Sequence, residues 1–428
     1  MSPATRSSKR LKKQSASPAP QQATDEETLL ALSARLIQLC SEGTPEQVKK
    51  LFDLGAPGWY QEDTMGWSCL HFAADRGDWR IVKTCLENGA IWNSADYLGR
   101  TAGDIALSLN DEKSYMLIRN EGIRQEMIHH AMQSAKSASS PGPSSQPAVA
   151  ESSSSQTENA TGEHIDVEHD ESTNTYHLKS IDPTSAGDNL TFLRSKLTWD
   201  VGEDGKERVL DEDGNGVMMG WEEPLMVAHV EAVKERLKEK IERGEEVSVL
   251  NIGFGLGIID TLLQDQLHPA RHTIIEAHPS VLTHIQSTPF HNKAGVEVLP
   301  GRWQDWCQGD KLAELIGKSA GGAGYDFVFI DTFAEDYEEL KAFFEIVTDL
   351  LEGPESVFSF WNGLGATNPL IYDVACNLAE MHMDDVGLQT EWKDVLVDDA
   401  TAVEIWNGVK RSYWNLPVYR MPVASYSM

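Results

Sequence analysis

The chain has 428 residues, 40% of them hydrophobic and 24% charged, enough for two or three globular domains with a sizeable core. No apolar run approaches the roughly 20 residues of a bilayer span, and the polar, basic N-terminus lacks the apolar core of a signal peptide. A formal net charge of −31 repels nucleic-acid phosphate and attracts basic proteins, so direct nucleic-acid binding is disfavoured, although excess acid also simply keeps a chain soluble.

Residues 1–26 lack periodic apolar positions and are expected to be a disordered basic tail. Its Lys9-Arg10-Leu11-Lys12-Lys13 cluster suits a nuclear-import signal and equally a solvated end. The expected location is the cytoplasm, with the nucleus open. Five scattered cysteines (Cys40, Cys69, Cys85, Cys307, Cys376) form no CxxC pair and read as reduced packing thiols.

Residues 27–132 contain an internal repeat. Gly43-Thr44-Pro45-Glu46-Gln47-Val48 returns as Gly77-Asp78-Trp79-Arg80-Ile81-Val82, and Gly66-Trp67-Ser68-Cys69-Leu70-His71 returns more loosely as Gly99-Arg100-Thr101-Ala102-Gly103-Asp104. The offset of about 33 residues and the motif resemble ankyrin repeats, an all-α stack. The resemblance makes His71 a structural hydrogen-bonder that stitches turn to helix. About two repeats are visible, so the stack needs atypical ends or support from a neighbour. Residues 133–163, rich in Ser, Ala and Pro, are expected to be a flexible tether.

The last domain is expected over 164–428. Residues 196–201 and 206–210 flank a Glu203-Asp204-Gly205 turn and predict a hairpin. A helix over 224–243 follows, with Gly244 as its cap. Segments 247–252, 258–266, 272–277, 280–287, 296–300 and 325–331 then alternate strand and helix, which predicts an α/β domain with a parallel sheet.

Five motifs fall on that alternation. Gly253, Gly255 and Gly257 form a glycine turn after one strand, interleaved with Phe254 and Leu256 and followed by Ile258 and Ile259. Such a turn lets backbone N–H groups approach a ligand, although alone it serves equally for NAD or a tight turn. Glu276 ends the next strand, where a carboxylate takes ribose hydroxyls, and Trp303 offers an aromatic face after the third. Asp331 ends a fourth apolar strand, and Glu222 lies in Trp221-Glu222-Glu223-Pro224. Two acids beside a nucleoside site would hold a cationic substrate. A competing motif, Asp211-Glu212-Asp213-Gly214-Asn215-Gly216 with Glu222, satisfies the EF-hand loop formula. The preceding strand pattern and the lack of a helix pair argue for a hairpin turn instead, so no metal is expected.

Together with Met218-Met219-Gly220, Gly301-Arg302-Trp303, Phe360-Trp361-Asn362-Gly363 and Arg411-Ser412-Tyr413-Trp414-Asn415-Leu416-Pro417, these motifs resemble guanidinoacetate methyltransferase. With the repeats in front, the chain resembles the fungal type IV protein arginine methyltransferases, most strongly over 189–428. The resemblance implies a class I, Rossmann-like methyltransferase domain that uses S-adenosyl-L-methionine. It places Phe254 to Ile259 round the methionine end and Glu276 on ribose. Ala277, His278, Trp303 and Gln304 would lie about adenine, and Met226 and Phe192 near the sulfonium. Glu222 and Asp331 would hold a guanidinium, with Asp331 also bordering the cofactor. It further implies methylation of the internal δ-nitrogen of arginine in a basic large-subunit ribosomal protein. A monomer is expected, and the sequence names no partner for the repeats. Two rivals stand: a small-molecule guanidino methyltransferase, which would need no docking module, and an ankyrin adaptor carrying an inactive methyltransferase fold.

Overall fold

The computed structural model describes residues 25–139, 157–158, 164–170, 175–180, 187–397 and 405–427. Residues 1–24 of the expected tail, with its basic cluster, and the Ser-rich runs near 141–155 lie outside them. The chain divides into two compact units, Met1–Glu121 and Gly122–Met428.

In the first unit the helices are α1 (Asp25–Glu42), α2 (Pro45–Asp53), α3 (Cys69–Arg76), α4 (Trp79–Glu87) and α5 (Ala102–Ser108). The sequence repeat recurs as structure. α2 and α4 start at 45 and 79, α3 and α5 at 69 and 102, and single bridges pair Gln61 with Ser68 and Ala95 with Thr101. His71 is fully buried. Its Nδ1 accepts from the Ser68 backbone N–H and its Nε2 donates to the Arg100 carbonyl, 3.1 Å away. In the next repeat Thr101 and Asp104 form the equivalent reciprocal cap.

The unit boundary falls inside α6 (Glu112–Ser139). That helix and the short strand β1 (Thr157–Glu158) carry regular structure into the span expected to be tether. The stretch from Gln133 to Ser139 mixes good helix formers, Gln, Ala and Lys, with serine, so its composition does not oppose a helix. β1 pairs with β2 (His164–Asp170), which pairs with β3 (Thr175–Ser180), all antiparallel.

After the short helix α7 (Asn189–Phe192), the expected hairpin gains a third strand: β4 (Thr198–Val201), β5 (Glu207–Leu210) and β6 (Gly216–Met219). The EF-hand-like run is the turn between β5 and β6, where the Asp211 carboxylate accepts from the backbone N–H groups of Asp213 and Asn215. The long helix expected next breaks at Leu237 into α8 (Glu223–Arg236) and α9 (Lys238–Glu242). α9 directs Lys240 onto Asp326 and Glu352.

The remaining elements are β7 (Ser248–Ile252), α10 (Ile258–Gln266), β8 (Arg271–Glu276), α11 (Pro279–Ile285), β9 (Val296–Pro300), α12 (Trp303–Trp306), α13 (Gly309–Ile316), β10 (Phe327–Ile330), α14 (Tyr337–Leu350), β11 (Val357–Phe360), α15 (Pro369–Asp385), β12 (Leu388–Leu396) and β13 (Val418–Tyr426). Their seven-stranded sheet runs β12-β13-β11-β10-β7-β8-β9, parallel from β9 to β11, with β13 inserted antiparallel between β11 and β12. β7, β10 and β11 are buried at every residue, as strands covered on both faces must be. The chain moves from β7 outward through β8 to β9, then returns to place β10 on β7's other side. That reversal opens a crevice at the carboxyl ends of β7 and β10, where sheets of this kind hold ligands. Among the described residues no helix is long and apolar enough to cross a membrane.

Candidate active site

The crevice is a pocket whose walls come from the carboxyl ends of β7, β8, β9, β10 and β11 and from α7, β6, α8 and Tyr413. β7 enters the glycine turn at Gly253, whose backbone has φ +91°. A Cβ there would stand 1.9 Å from the carbonyl oxygen of Asp331, so only glycine lets the β7 and β10 ends close together. The Asp331 N–H donates to Ile252 O at 2.8 Å across that junction, and on the other side the Gly253 N–H donates to Ile275 O of β8 at 2.9 Å. Gly255 (φ +56°) is different. A Cβ there would meet nothing nearer than the Met218 side chain at 3.7 Å, itself a pocket wall.

Glu276 lies at the end of β8 and is 6% exposed. Its carboxylate accepts from the Phe254 N–H (2.9 Å) and the His278 N–H (2.6 Å), joining the glycine turn to β8. Burial raises its pKa, against the lowering effect of those amides. Asp331 is raised to about 7, first by burial and then by the charge of Glu276. Glu222 ends the 3-10 turn Gly220–Glu222 at the start of α8. Its neighbour Trp221 is sunk among Trp361, Trp406, Tyr413 and Trp414, which fixes the turn. Burial, and then the charge of Asp331, push Glu222 well above the usual carboxylate range, while a hydrogen bond donated by Tyr413 pulls the other way.

The pocket brings together most of the residues expected from the sequence. Phe192, Glu222, Met226, Gly253, Phe254, Gly255, Leu256, Ile258, Ile259, Glu276, Ala277, Trp303 and Asp331 all line it. Gly257, His278 and Gln304 do not, and each has a structural task behind the wall. Gly257 begins α10 at φ +70°, where a Cβ would strike the Phe254 ring at 2.4 Å. His278 caps α11 through Nδ1 and bonds the Phe192 carbonyl through Nε2. The Gln304 amide donates to Glu335. Trp303 lines the pocket but is 3% exposed, its ring edge-on to Phe343 and its indole N–H donating to Glu335. Phe192 packs on His278 and Phe333 rather than standing alone.

Several lining residues escape sequence reasoning. Glu335 gathers the Trp303 and Gln304 side chains and the Thr332 hydroxyl (2.7 Å), shaping the loop after β10. Asn189 donates to the Phe333 carbonyl and ties α7 to that loop. Trp361 follows β11 and stacks on Tyr419, and Tyr413 comes from 191 residues beyond Glu222. The signal for Tyr413 and Trp361 lay inside motifs already noted, but no spacing rule attaches them to Glu222.

Comparison with known proteins decides the family. The chain is 47% identical over 408 residues to the protein arginine N-methyltransferase 2 of Cryptococcus neoformans var. neoformans serotype D, covering 94% of this chain and 97% of that protein. The chain belongs to the protein arginine N-methyltransferase 2 family. Relatives of the same name from Neurospora crassa (36% identical, 81% of each chain) and Aspergillus oryzae (33%, 81% of this chain and 77% of that one) agree. No protein-family model matches the chain. Membership, together with the seven-stranded, mostly parallel sheet, makes this a class I methyltransferase fold of mixed α/β type.

Proposed function

We propose that the chain is an S-adenosyl-L-methionine-dependent protein arginine methyltransferase that monomethylates the internal δ-nitrogen of arginine in a basic protein, a large-subunit ribosomal protein first among candidates. The observation that carries this reading is the meeting of Glu222 and Asp331 in the pocket built by the glycine turn and Glu276.

The wall chemistry fits a sulfonium nucleoside better than a dinucleotide. Glu222, Glu276, Asp331, Glu335 and Asp336 line the pocket, against one lining base, Arg302. A pyrophosphate would meet repulsion there, whereas a sulfonium and a guanidinium, both cations, would be attracted. Gly253 to Leu256, with Ile258 and Ile259, would hold the methionine end and Glu276 the ribose, leaving Ala277 and Trp303 for the base.

When bound, S-adenosyl-L-methionine supplies a methyl carbon on a positively charged sulfur that departs as a neutral thioether. The protein must make a nucleophile of arginine, whose guanidinium has pKa above about 12 and no free lone pair. Glu222 and Asp331 would accept hydrogen bonds from its N–H groups, turning the attacked nitrogen toward the methyl carbon. With the N–C bond formed at the expense of the C–S bond, the proton displaced from the attacked nitrogen would go to a carboxylate oxygen of the pair. Fixing the line of attack supplies much of the remaining rate.

The repeats of the first unit are proposed as an ankyrin-like docking module for substrate or partner, in the cytoplasm or nucleus. The test is mass-spectrometric fragmentation of methylarginine formed from labelled cofactor and large-subunit ribosomal protein, with Glu222→Gln and Asp331→Asn alongside. Internal δ-methylarginine that disappears in both variants supports the reading. Methylation of a terminal nitrogen would overturn the positional part, and transfer only to small guanidino compounds would overturn the protein substrate.

A further inference from the structure

We infer that Tyr413 is a positioning residue for Glu222: its hydroxyl fixes one carboxylate oxygen so that the other is presented to the guanidinium. The inference rests on the proposed role of Glu222 and adds a group that the pair of acids does not itself supply.

Tyr413 lines the pocket, and its Oη–H donates to Glu222 Oε1. The phenol is held rigidly. Its ring meets Trp406 edge-on at 4.9 Å and tilts against Trp221 at 6.2 Å. Trp221, one residue before Glu222, is 4% exposed, and its buried indole N–H lies beside the Tyr413 hydroxyl. Carboxylate and donor are therefore anchored in one aromatic cluster, although they are 191 residues apart in the chain.

Such a donor matters because the charges around Glu222 oppose its ionisation. Asp331 faces it from the β10 end and raises its pKa, and Glu276 acts on Asp331 from β8. Glu335 and Asp336 add acid from the loop before α14, with Arg302 from the β9 end as the one lining base. Tyr419, on β13, is neutral and itself feels both acids. Besides the backbone of Met219, Tyr413 is the group that favours the anion. A hydrogen bond to an ionised acceptor is roughly twice as strong as a neutral one. Its loss should therefore lower substrate use by about ten- to a hundredfold.

The test is Tyr413→Phe in the full chain, which keeps the ring. Three quantities are read: cofactor affinity, initial methyl transfer to large-subunit ribosomal protein against pH, and infrared titration of the Glu222 carboxylate, assigned by its loss in Glu222→Gln. Unchanged cofactor affinity, a ten- to hundredfold drop in transfer at neutral pH, and an acid limb moved to higher pH are expected. The defect then shrinks as pH rises. Adding Tyr413→Phe to Glu222→Gln should cost nothing further. Wild-type transfer with an unmoved limb, or losses that multiply in the double variant, would overturn the inference. If wild type methylates no arginine, the proposed function fails. The infrared titration still decides, because an unmoved Glu222 midpoint in Tyr413→Phe overturns the positioning role by itself. Should that variant not fold, 3-fluorotyrosine at 413 replaces it. A more acidic phenol donates more strongly and must move the midpoint down, which a merely structural ring would not do.

Discussion

Gly253→Ala and Gly255→Ala should fail in different ways. At 253 the new Cβ starts 1.9 Å from Asp331 O, whereas real Cβ contacts do not fall below 3.0 Å, so the β7 and β10 ends must separate by about 1.1 Å. That movement would stretch the 2.8 Å Asp331–Ile252 hydrogen bond beyond bonding range and disturb the 2.9 Å Gly253–Ile275 bond. One lost bond at about 1 kcal/mol, a second weakened by up to about 1 kcal/mol, and about 1–2 kcal/mol for alanine at positive φ give roughly 2–4 kcal/mol. For a unit running from Gly122 to Met428 such a loss lowers Tm by roughly 3–6 °C. Gly255→Ala carries the φ cost of about 1–2 kcal/mol without the clash, so the protein should fold. Its methyl group would nevertheless sit against the Met218 side of the pocket, where the proposed cofactor lies. Thermal unfolding and calorimetric titration with S-adenosyl-L-methionine separate the two. Expected are a Tm loss at 253 about twice that at 255, and at 255 cofactor affinity down about tenfold or more. A Gly253→Ala protein as stable as wild type would refute the contact argument.

The remaining predictions concern charge and the first unit. Asp331→Asn and Glu222→Gln should each lower methyl transfer by at least about a hundredfold, with cofactor affinity changed far less by Glu222→Gln than transfer is, as paired titration and rate measurements would show. The Asp331 carboxyl titrates near 7 in the folded chain against an ordinary 3.8, so between those values the folded state holds a proton that the unfolded state has released. Stability from this group is full below about pH 4 and is lost as pH rises through 7. Asp331→Asn should therefore be more stable than wild type at pH 8 and lose that advantage toward pH 4 in urea unfolding. A guanidinium bound between raised acids should expel protons, so calorimetry in buffers of different ionisation enthalpy should show proton release that Glu222→Gln reduces. His71→Ala leaves the Ser68 N–H and Arg100 carbonyl without their partner and should cost the first unit about 2–4 kcal/mol, measured by unfolding of the isolated 1–121 fragment if soluble, or by hydrogen exchange in the full chain.

What could be read in the sequence depended on how local the signal was. The β7-turn-α10 unit was legible because a buried apolar strand, three glycines and a helix pattern follow each other within 20 residues. Glu276 and Asp331 could be placed because each directly follows an apolar strand, and parallel strands end on the same edge. The sheet's order then joined them without further information. Past Asp331 the pattern alone named no elements, since β11 is a short all-buried run and β12 and β13 owe their place to antiparallel pairing with each other. The break at Leu237 was equally hidden. The helix continues in composition, and the turn is matched to Lys240 meeting Asp326, 86 residues away. Tyr413 and Glu335 belong to the same class: each acts through long-range or loop-closed contacts that no periodicity encodes.

The site is built on an opposition between burial and charge. Three carboxyls, Glu222, Glu276 and Asp331, converge in a pocket, and all three are raised by desolvation before anything else. A protein that needed only a stable core would not keep them there, because buried unpaired acids cost stability. Glu276 is compensated by backbone amides that hold it in place whether or not a ligand is present. Asp331 has no such amides, and Glu222 has a single phenol besides the Met219 backbone. These two are thus the acids left with capacity to accept from a substrate. A neutral ligand would leave their repulsion intact, and an anion would worsen it. Among ligands, a cation with several N–H donors relieves burial and repulsion together while the acids stay ionised, and a guanidinium has that form. The shortage of compensation inside the free pocket is therefore a physical reason to expect a cationic hydrogen-bond donor there, which agrees with the arginine chemistry named in the relatives.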